Sequence, residues 1–184
     1  MAHIHDHCHP TKRLHQPSHR SIVVGLASVA VVSADPTRAA GEVSADDEQF
    51  MRMALDEARQ GDLAFGCVIV RDGQIVARGR NLGKTNDDPT AHGEMVVIRR
   101  AFVDHGSAAL RGATLYTSGE PCVMCMGAII WCGIRRLVFA ASVPQIGGKF
   151  DQIMIAEVAA RASFDPIKIT GRVMADEAMR LFGN

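Results

Sequence analysis

Hydrophobic and polar residues alternate with two different periods after residue 44. Ser44 precedes a segment whose apolar residues recur at every third or fourth position, which predicts an N-cap and a helix over 45–59. An apolar run at 65–70, an Asp72-Gly73 turn and a second run at 74–80 predict a β-hairpin. We therefore expect a helix followed by two antiparallel strands.

The rest of the chain alternates between helical and strand patterns. Further helices are predicted over 91–103, 121–131, 153–162 and 175–182, and further strands over 115–117, 137–140 and 167–170. A loop is predicted over 144–149, and Met95, Ile98 and Phe102 are predicted to face the core. This order favours an α/β fold, a three-layer α/β/α sandwich with a central mixed sheet.

The first 34 residues differ in composition from the rest of the chain. They contain six of the eight histidines, three cations, an apolar run over 22–32 and the small-residue end Val32-Ser33-Ala34. The pattern is typical of a cleaved signal peptide, and a disordered or mistranslated His-rich extension is the alternative. Cleavage predicts a periplasmic or secreted protein, whereas an uncleaved chain would be cytoplasmic. The predicted organisation is thus 1–34, a linker over 35–44 and one domain over 45–184.

The composition is that of a soluble globular protein without a basic surface. Hydrophobic residues make up 47% of the chain, charged residues 22%, and the formal net charge is zero. Residues 1–34 carry three cations and one anion, so the remaining domain has a charge of about −2. We therefore expect no nucleic-acid partner, and no membrane association after processing. The odd cysteine count, five, favours a metal site and buried thiols over a disulfide framework.

Two short motifs bring together residue types that bind a metal. One is His92-Gly93-Glu94, and the other is Pro121-Cys122-Val123-Met124-Cys125, each near a predicted helix start. One imidazole and two thiolates supply three zinc ligands and leave the fourth tetrahedral position open, as in catalytic zinc sites. The helix N-terminus favours the thiolate form of the cysteines. Cys132 is two helical turns and about 10 Å from Cys125, so it is not expected to be a fourth ligand.

Glu94 is a candidate for proton transfer. At about 100° per residue its side chain points about 200° away from that of His92 on a regular helix. This separates Glu94 from the ligands and suits a carboxylate that takes a proton from zinc-bound water and returns it to a leaving nitrogen. The structural alternatives are a surface glutamate and a pair of buried core cysteines.

Both motifs lie in longer segments that resemble a known superfamily. Residues 86–94 (NDDPTAHGE) and 115–128 (LYTSGEPCVMCMGA) are similar to the cytidine deaminase-like zinc enzymes, and within them to guanine deaminases and tRNA adenosine deaminases. The resemblance extends from about residue 46 to residue 182. It implies a Zn²⁺ site, a homodimer, and attack of zinc hydroxide on an amidine carbon with loss of ammonia. It also implies these site residues: ligands His92, Cys122 and Cys125, proton shuttle Glu94, base contact Asn81, pocket residue Phe65, and backbone contacts from Ala91, Ser118 and Gly119.

Two positions depart from the family pattern. Gly93 replaces the usual alanine between ligand and acid. Gly119 replaces a larger residue, which predicts a roomier pocket floor. Neither change affects the predicted ligands.

The substrate is less clearly indicated than the chemistry. Trp131 would either stack on a free base or pack in the core. Asp151 aligns loosely with a guanine-contacting segment, where a carboxylate accepts N–H groups. The segment 169–182 instead resembles the tRNA branch. We expect a small base or nucleoside as substrate, with guanine first. The alternatives are a tRNA adenosine deaminase that forms inosine and, from another class, a non-catalytic zinc-binding module.

Overall fold

The computed structural model describes residues 43–147 and 167–183. The predicted signal segment at 1–34, the linker up to residue 42, the helix predicted over 153–162 and Asp151 all lie outside the described residues.

The described residues form five α-helices and five strands. The helices are α1 (Ala45–Ala58), α2 (Gly93–His105), α3 (Val123–Trp131), α4 (Val143–Ile146) and α5 (Ala175–Leu181). The strands are β1 (Gly66–Arg71), β2 (Gln74–Arg80), β3 (Thr114–Gly119), β4 (Arg136–Ala141) and β5 (Lys168–Thr170), and a 3₁₀ turn spans Ser107–Ala109. No helix in these ranges is long and apolar enough to cross a membrane.

The strands form one mixed sheet in the order β2-β1-β3-β4-β5. β1 pairs antiparallel with both β2 and β3, whereas β3, β4 and β5 are parallel. The end of β2, the start of β1 and the end of β3 therefore lie at the same edge of the sheet. The predicted α/β class and mixed sheet are confirmed.

Helices cover both faces of the sheet. Because side chains alternate along a strand, Val68 and Val70 of β1 pack toward α1 and α5, while Cys67 and Ile69 pack toward α2 and α3. Each face of the sheet has its own hydrophobic core. One core contains Leu55, and the other contains Leu115. The three-layer arrangement results from these two cores.

Local sequence signals account for the start of α1. The Ser44 hydroxyl accepts a hydrogen bond from the backbone N–H of Asp47 (3.1 Å), and the Asp47 carboxylate accepts one from the N–H of Ser44 (3.0 Å). This reciprocal capping box satisfies two backbone donors that have no partner inside the helix. The predicted N-cap at Ser44 is confirmed.

Two local predictions are wrong. Residues 144–146, predicted as part of a loop over 144–149, belong to α4, because Pro144 suits a first helical turn and Ser142 forms a capping box with Gln145. Phe102, predicted to face the core, is 41% exposed, since α2 turns Val97 and Ala101 toward the sheet instead.

A buried ion pair joins α1 to the sheet. The Asp47 carboxylate, 1% exposed, accepts hydrogen bonds from both terminal nitrogens of Arg136 (2.6 and 2.8 Å) and from the Tyr116 hydroxyl (2.8 Å). Burial alone would raise the pKa of Asp47. The hydrogen bonds from Arg136, the Ser44 N–H and Tyr116 outweigh burial and hold that pKa well below its usual range. The first turn of α1 is thus fixed to β3 and β4 by charge-assisted hydrogen bonds.

Replacing Asp47 with asparagine should destabilise the fold by roughly 3 kcal/mol near pH 7, because Arg136 then loses its counter-charge. The folded-state pKa of Asp47 is depressed below the unfolded value of about 3.9. The contribution of Asp47 to the free energy of unfolding is therefore present in full above about pH 5 and is lost as the pH falls toward the folded-state pKa. Urea unfolding at pH 7, 4 and 3 measures the difference in free energy of unfolding between the parent and Asp47→Asn. This difference should become smaller as the pH falls.

Asp46→Asn is the matched control, since Asp46 is the exposed neighbour on the same helical turn. It should change the free energy of unfolding by no more than about 0.5 kcal/mol. A difference between Asp47→Asn and parent that stays constant from pH 7 to pH 3 would contradict the role assigned to the carboxylate.

Candidate metal centre

Three metal-binding side chains come from the starts of two helices. His92 is the N-cap of α2 and Cys122 the N-cap of α3, and both have extended backbone angles and no capping hydrogen bond from their side chains. Cys125 lies in the first turn of α3. Because α2 follows β2 and α3 follows β3, the two helices begin at the same edge of the sheet. Their N-terminal side chains can therefore reach one point.

The three donor atoms have the spacing that zinc requires. The His92 Nδ1 lies 3.6 Å from the Sγ of Cys122 and 3.6 Å from the Sγ of Cys125, and the two sulfurs are 3.6 Å apart. Tetrahedral Zn²⁺, with Zn–S of about 2.3 Å and Zn–N of about 2.0–2.1 Å, requires separations of about 3.8 and 3.6 Å. Within the described residues no other such cluster occurs. The donor set fits Zn²⁺ with one open position, as the sequence predicts.

The two thiols differ in acidity in the absence of metal. The hydrogen bond from the Cys125 thiol, followed by that from His92, lowers the pKa of Cys122 to about 4. The same hydrogen bond, together with burial, raises the pKa of Cys125. The hydrogen bond with Cys122 raises the pKa of His92. The Cys122 thiol is thus the more acidic of the two, and metal binding releases the protons that the ligands still carry.

Glu94 lies beside the three donors but is not one of them. It is in the first turn of α2, is only 2% exposed, and packs against the sheet. Its Oε1 accepts a hydrogen bond from the Thr117 hydroxyl on β3 (3.3 Å). Burial is the main cause that raises the pKa of Glu94, and the charge of Cys122 adds to it. A carboxyl group with a raised pKa suits both acceptance and return of a proton near neutral pH.

Asn81 lies directly after β2 and is 3% exposed. Its backbone N–H donates to the carbonyl of Phe65 (2.8 Å), and its side-chain Oδ1 accepts from the N–H of Gly83 (3.1 Å). Within the described residues its side-chain amide nitrogen donates to no group. The amide is thus oriented by the chain, with its N–H groups left for another acceptor.

Phe65 contacts both segments that carry the metal ligands. A Cβ added to Gly93 would lie 2.6 Å from the Phe65 carbonyl oxygen, and one added to Gly119 would lie 2.7 Å from the Phe65 ring. Ile146 lies next to the same position of Gly119, and the ring of Phe182 meets Phe65 edge-on at 5.2 Å. The space gained at Gly119 is therefore occupied by the Phe65 ring, and the roomier pocket floor is not formed there.

Ser118 and Ala91 are buried near the centre, but their polar groups already have partners. The Ser118 hydroxyl donates to the carbonyl of Ala64 (2.8 Å) and accepts from the N–H of Gly66 (3.0 Å). The N–H of Ala91 donates to the carbonyl of Asp88 (3.0 Å). These contacts anchor the chain before β1 and the loop before α2. The predicted backbone contacts of Ala91, Ser118 and Gly119 with substrate stay predictions.

Trp131 is not brought to the centre. It is the last residue of α3 and is 76% exposed, about 13 Å along the helix from Cys122. Packing in the core is therefore contradicted for this chain, whereas stacking on a base stays a prediction. Asp151, the other predicted guanine contact, lies outside the described residues.

Two neighbours of Glu94 have no recognisable signal in the sequence. Thr117 contacts its carboxylate, and the buried Cys67 of β1 lies opposite Thr117 in the sheet. In the sequence, both look like ordinary strand residues. Only the alternation along β1 and β3, combined with the pairing of the two strands, places them under α2.

Known proteins are similar to this chain in sequence and in structure. The family model for the cytidine and deoxycytidylate deaminase zinc-binding region matches residues 44–141. The chain is 41% identical over 105 residues to a tRNA-specific adenosine deaminase of Bacillus subtilis (strain 168), an alignment that covers 55% of this chain and 65% of that protein. It is 44% identical over 99 residues to a guanine deaminase of the same organism, which covers 51% and 64%. The chain thus spans slightly less than two thirds of these relatives.

A solved structure supports the same relationship. It comes from a study of A-to-I editing by tRNA:A34 deaminases at the wobble position of transfer RNA. It is 34% identical to this chain, superposes with a TM-score of 0.63, and the match covers 72% of this chain and 98% of that one. The fold and the metal-bearing segments therefore have relatives of both kinds, those that act on a free base and those that act on tRNA.

Replacing Cys125 with serine should abolish zinc binding, because it removes a buried thiolate from a three-ligand site that has no spare donor. Metal analysis of purified protein should find about one zinc per chain in the parent and almost none in Cys125→Ser. Cys132→Ser is the control, since Cys132 is a half-buried thiol at the far end of α3. Equal zinc loss in both variants would argue against this ligand set.

Proposed function

The chain belongs to the zinc-binding family of cytidine and deoxycytidylate deaminases, and from this premise we propose that it hydrolyses the amino group of a small nucleobase or nucleoside, with guanine as the first candidate. One observation carries the proposal. Three donors held 3.6 Å apart leave a fourth metal position open, and a buried carboxylate lies beside them.

His92, Cys122 and Cys125 would hold Zn²⁺, and Glu94 would move the protons. Zinc bound there would supply Lewis acidity, which makes a water molecule nucleophilic near neutral pH. Glu94 would accept a proton from the attacking water as the new C–O bond forms at the amidine carbon of the ring. Glu94 would then return the proton to the exocyclic nitrogen, so that the C–N bond breaks and ammonia leaves. Burial of Glu94 keeps competing water away from this transfer.

Asn81 supports recognition of a purine edge. Its Oδ1 already accepts a hydrogen bond from Gly83, which orients the amide and leaves its N–H groups for the substrate. It would therefore bind an acceptor, such as a ring nitrogen or a carbonyl oxygen of guanine. Asp151 remains a proposed acceptor for guanine N–H groups. Phe65 would contribute an apolar wall at the start of β1.

The net charge favours a free base over tRNA. The two curated relatives have nearly the same identity to this chain, so they do not separate the two substrates. Binding to tRNA relies on cations that neutralise phosphates, whereas residues 35–184 carry a net charge of about −2. Formation of inosine in tRNA is the second candidate, supported by the similarity to tRNA-specific adenosine deaminases. A non-catalytic zinc module is disfavoured, because the described residues offer no fourth ligand.

We also propose that the chain forms a homodimer. The exposed apolar surface of α3, which includes Val123 (50% exposed) and Trp131 (76% exposed), supports a second copy as partner.

We further propose that the chain is exported. The sequence pattern at 1–34 supports export, with the mature chain beginning at residue 35.

The zinc-loaded protein should release ammonia from guanine and should form no inosine in a tRNA anticodon loop. The reason is the mildly acidic domain together with an asparagine that presents N–H groups to a base edge. Ammonia release should be measured over guanine, adenine, cytosine, their nucleosides and aminotriazines, and inosine by sequencing of treated tRNA. Inosine without guanine turnover would favour the second candidate, and no activity on any of these would leave the zinc module.

Glu94→Gln should lower turnover by at least about 100-fold while zinc content stays at about one per chain, because glutamine has the same size but cannot carry the proton. The parent protein and Glu94→Gln are compared by steady-state ammonia release and metal analysis. Glu120→Gln is a suitable control, since the Glu120 carboxylate accepts a hydrogen bond from the N–H of Val143 (2.8 Å), a loop contact. Near-normal turnover of Glu94→Gln would contradict the shuttle role.

A further inference from the structure

Two buried side chains form the floor beneath Glu94. Cys67 on β1 and Thr117 on β3 are directly opposite each other in the antiparallel pair, and both are 0% exposed. Directly opposed residues share one face of a sheet, with Cβ atoms about 4.5–5.5 Å apart. That face is the one covered by α2. The carboxylate of Glu94 therefore rests on a cross-strand pair made of one thiol and one hydroxyl.

The backbone of Glu94 is held closely against this floor. A Cβ on the preceding residue, Gly93, would lie 3.2 Å from the Cys67 sulfur and 2.6 Å from the Phe65 carbonyl oxygen. The absence of a side chain at Gly93 thus lets the first turn of α2 approach β1 closely. As a result, the position from which the Glu94 side chain departs is fixed.

The Thr117 hydroxyl has two oxygen acceptors within reach. Its Oγ1 lies 3.3 Å from Oε1 of Glu94 and 3.0 Å from the carbonyl oxygen of Gly119. A hydroxyl donates one hydrogen and can accept through its lone pairs. It can therefore donate to the carboxylate of Glu94, or donate to Gly119 while it accepts a hydrogen bond from the carboxyl form of Glu94.

We propose that Thr117 is a positioning residue for the proton shuttle Glu94, in which its hydroxyl holds Oε1 and leaves Oε2 for the water and the substrate. The inference rests on the proposed deaminase function. The Glu94 carboxylate also accepts hydrogen bonds from its own backbone N–H and from the Cys125 thiol, both of which belong to helices. Thr117 adds a hydrogen bond from a strand, a rigid element, and so ties the carboxylate to the sheet.

A hydroxyl partner suits both protonation states of a proton shuttle. Glu94 is a carboxylate before it takes the proton from water and a carboxyl group until it returns that proton to the leaving nitrogen. Rotation of the Thr117 hydroxyl provides a hydrogen bond in both forms without movement of the carbon chain. Valine has the same shape but offers no hydrogen bond, whereas serine keeps the hydroxyl. These two substitutions separate the hydroxyl from the packing of the side chain.

Thr117→Val should lower kcat for the preferred substrate by about 10- to 100-fold, the usual cost of removing a group that orients a catalytic residue. KM should change by no more than about twofold, since Thr117 does not contact substrate. Thr117→Ser should restore kcat to within about threefold of the parent. Zinc content and thermal midpoint should be equal in all three proteins. Thr170→Val is the control, because Thr170 is also a fully buried strand threonine and its hydroxyl has no partner among the described residues.

Crystal structures of parent and Thr117→Val provide a second measurement that does not require a substrate. We expect the Glu94 carboxylate to leave its position in the valine variant. An unmoved carboxylate, a parent-like kcat in Thr117→Val, or a loss that serine does not restore would overturn the inference. A parent protein that releases no ammonia from any ring would contradict the proposed function instead, and the two crystal structures would still decide whether Thr117 positions Glu94.

Discussion

The centre depends on one geometric constraint, the convergence of two helix N-termini at a single edge of the sheet. α2 follows β2 and α3 follows β3, and the strand order brings the ends of these two strands to either side of the start of β1. Each helix begins with a residue in extended conformation whose side chain is not used for capping. The partial positive charge of both helix starts then favours the thiolate of Cys122 and the carboxylate of Glu94. Metal ligands 30 and 33 residues apart in sequence are thereby held within one coordination sphere.

The short segment around Phe65 fixes the positions of the two helix starts relative to each other. Its carbonyl oxygen faces Gly93, between a ligand and the acid, and its ring covers Gly119, three residues before Cys122. Ser118 fastens the same segment through Ala64 and Gly66. A shift of either helix start would therefore be opposed by contacts with β1. This rigidity is what a site that transfers protons over short distances requires.

Elements with strong local signals could be predicted from the sequence, and features created by tertiary packing could not. The capping residue Ser44, the Asp72-Gly73 turn and the spacing of Cys122 and Cys125 carry their own information. The exposure of Phe102 and Trp131 depends on the rotation and length of α2 and α3, which periodicity specifies poorly. The contact between Thr117 and Glu94 spans 23 residues and joins a strand to a helix, so no local pattern reports it.

The pairing of Asp47 with Arg136 imposes an order on the assembly of the chain during synthesis. The two residues are 89 positions apart. At about 5–20 residues per second, a ribosome that has released Asp47 needs roughly 5–20 s more to release Arg136. Until then α1 can contact only the earlier strands β1, β2 and β3, through the Arg80–Glu57 ion pair and the Tyr116–Asp47 hydrogen bond among others, and the sheet that it covers still lacks β4. The nascent chain therefore carries the Asp47 carboxylate without its counter-charge through about half of the synthesis of its 184 residues, and the anchor between α1 and β4 forms only after that interval.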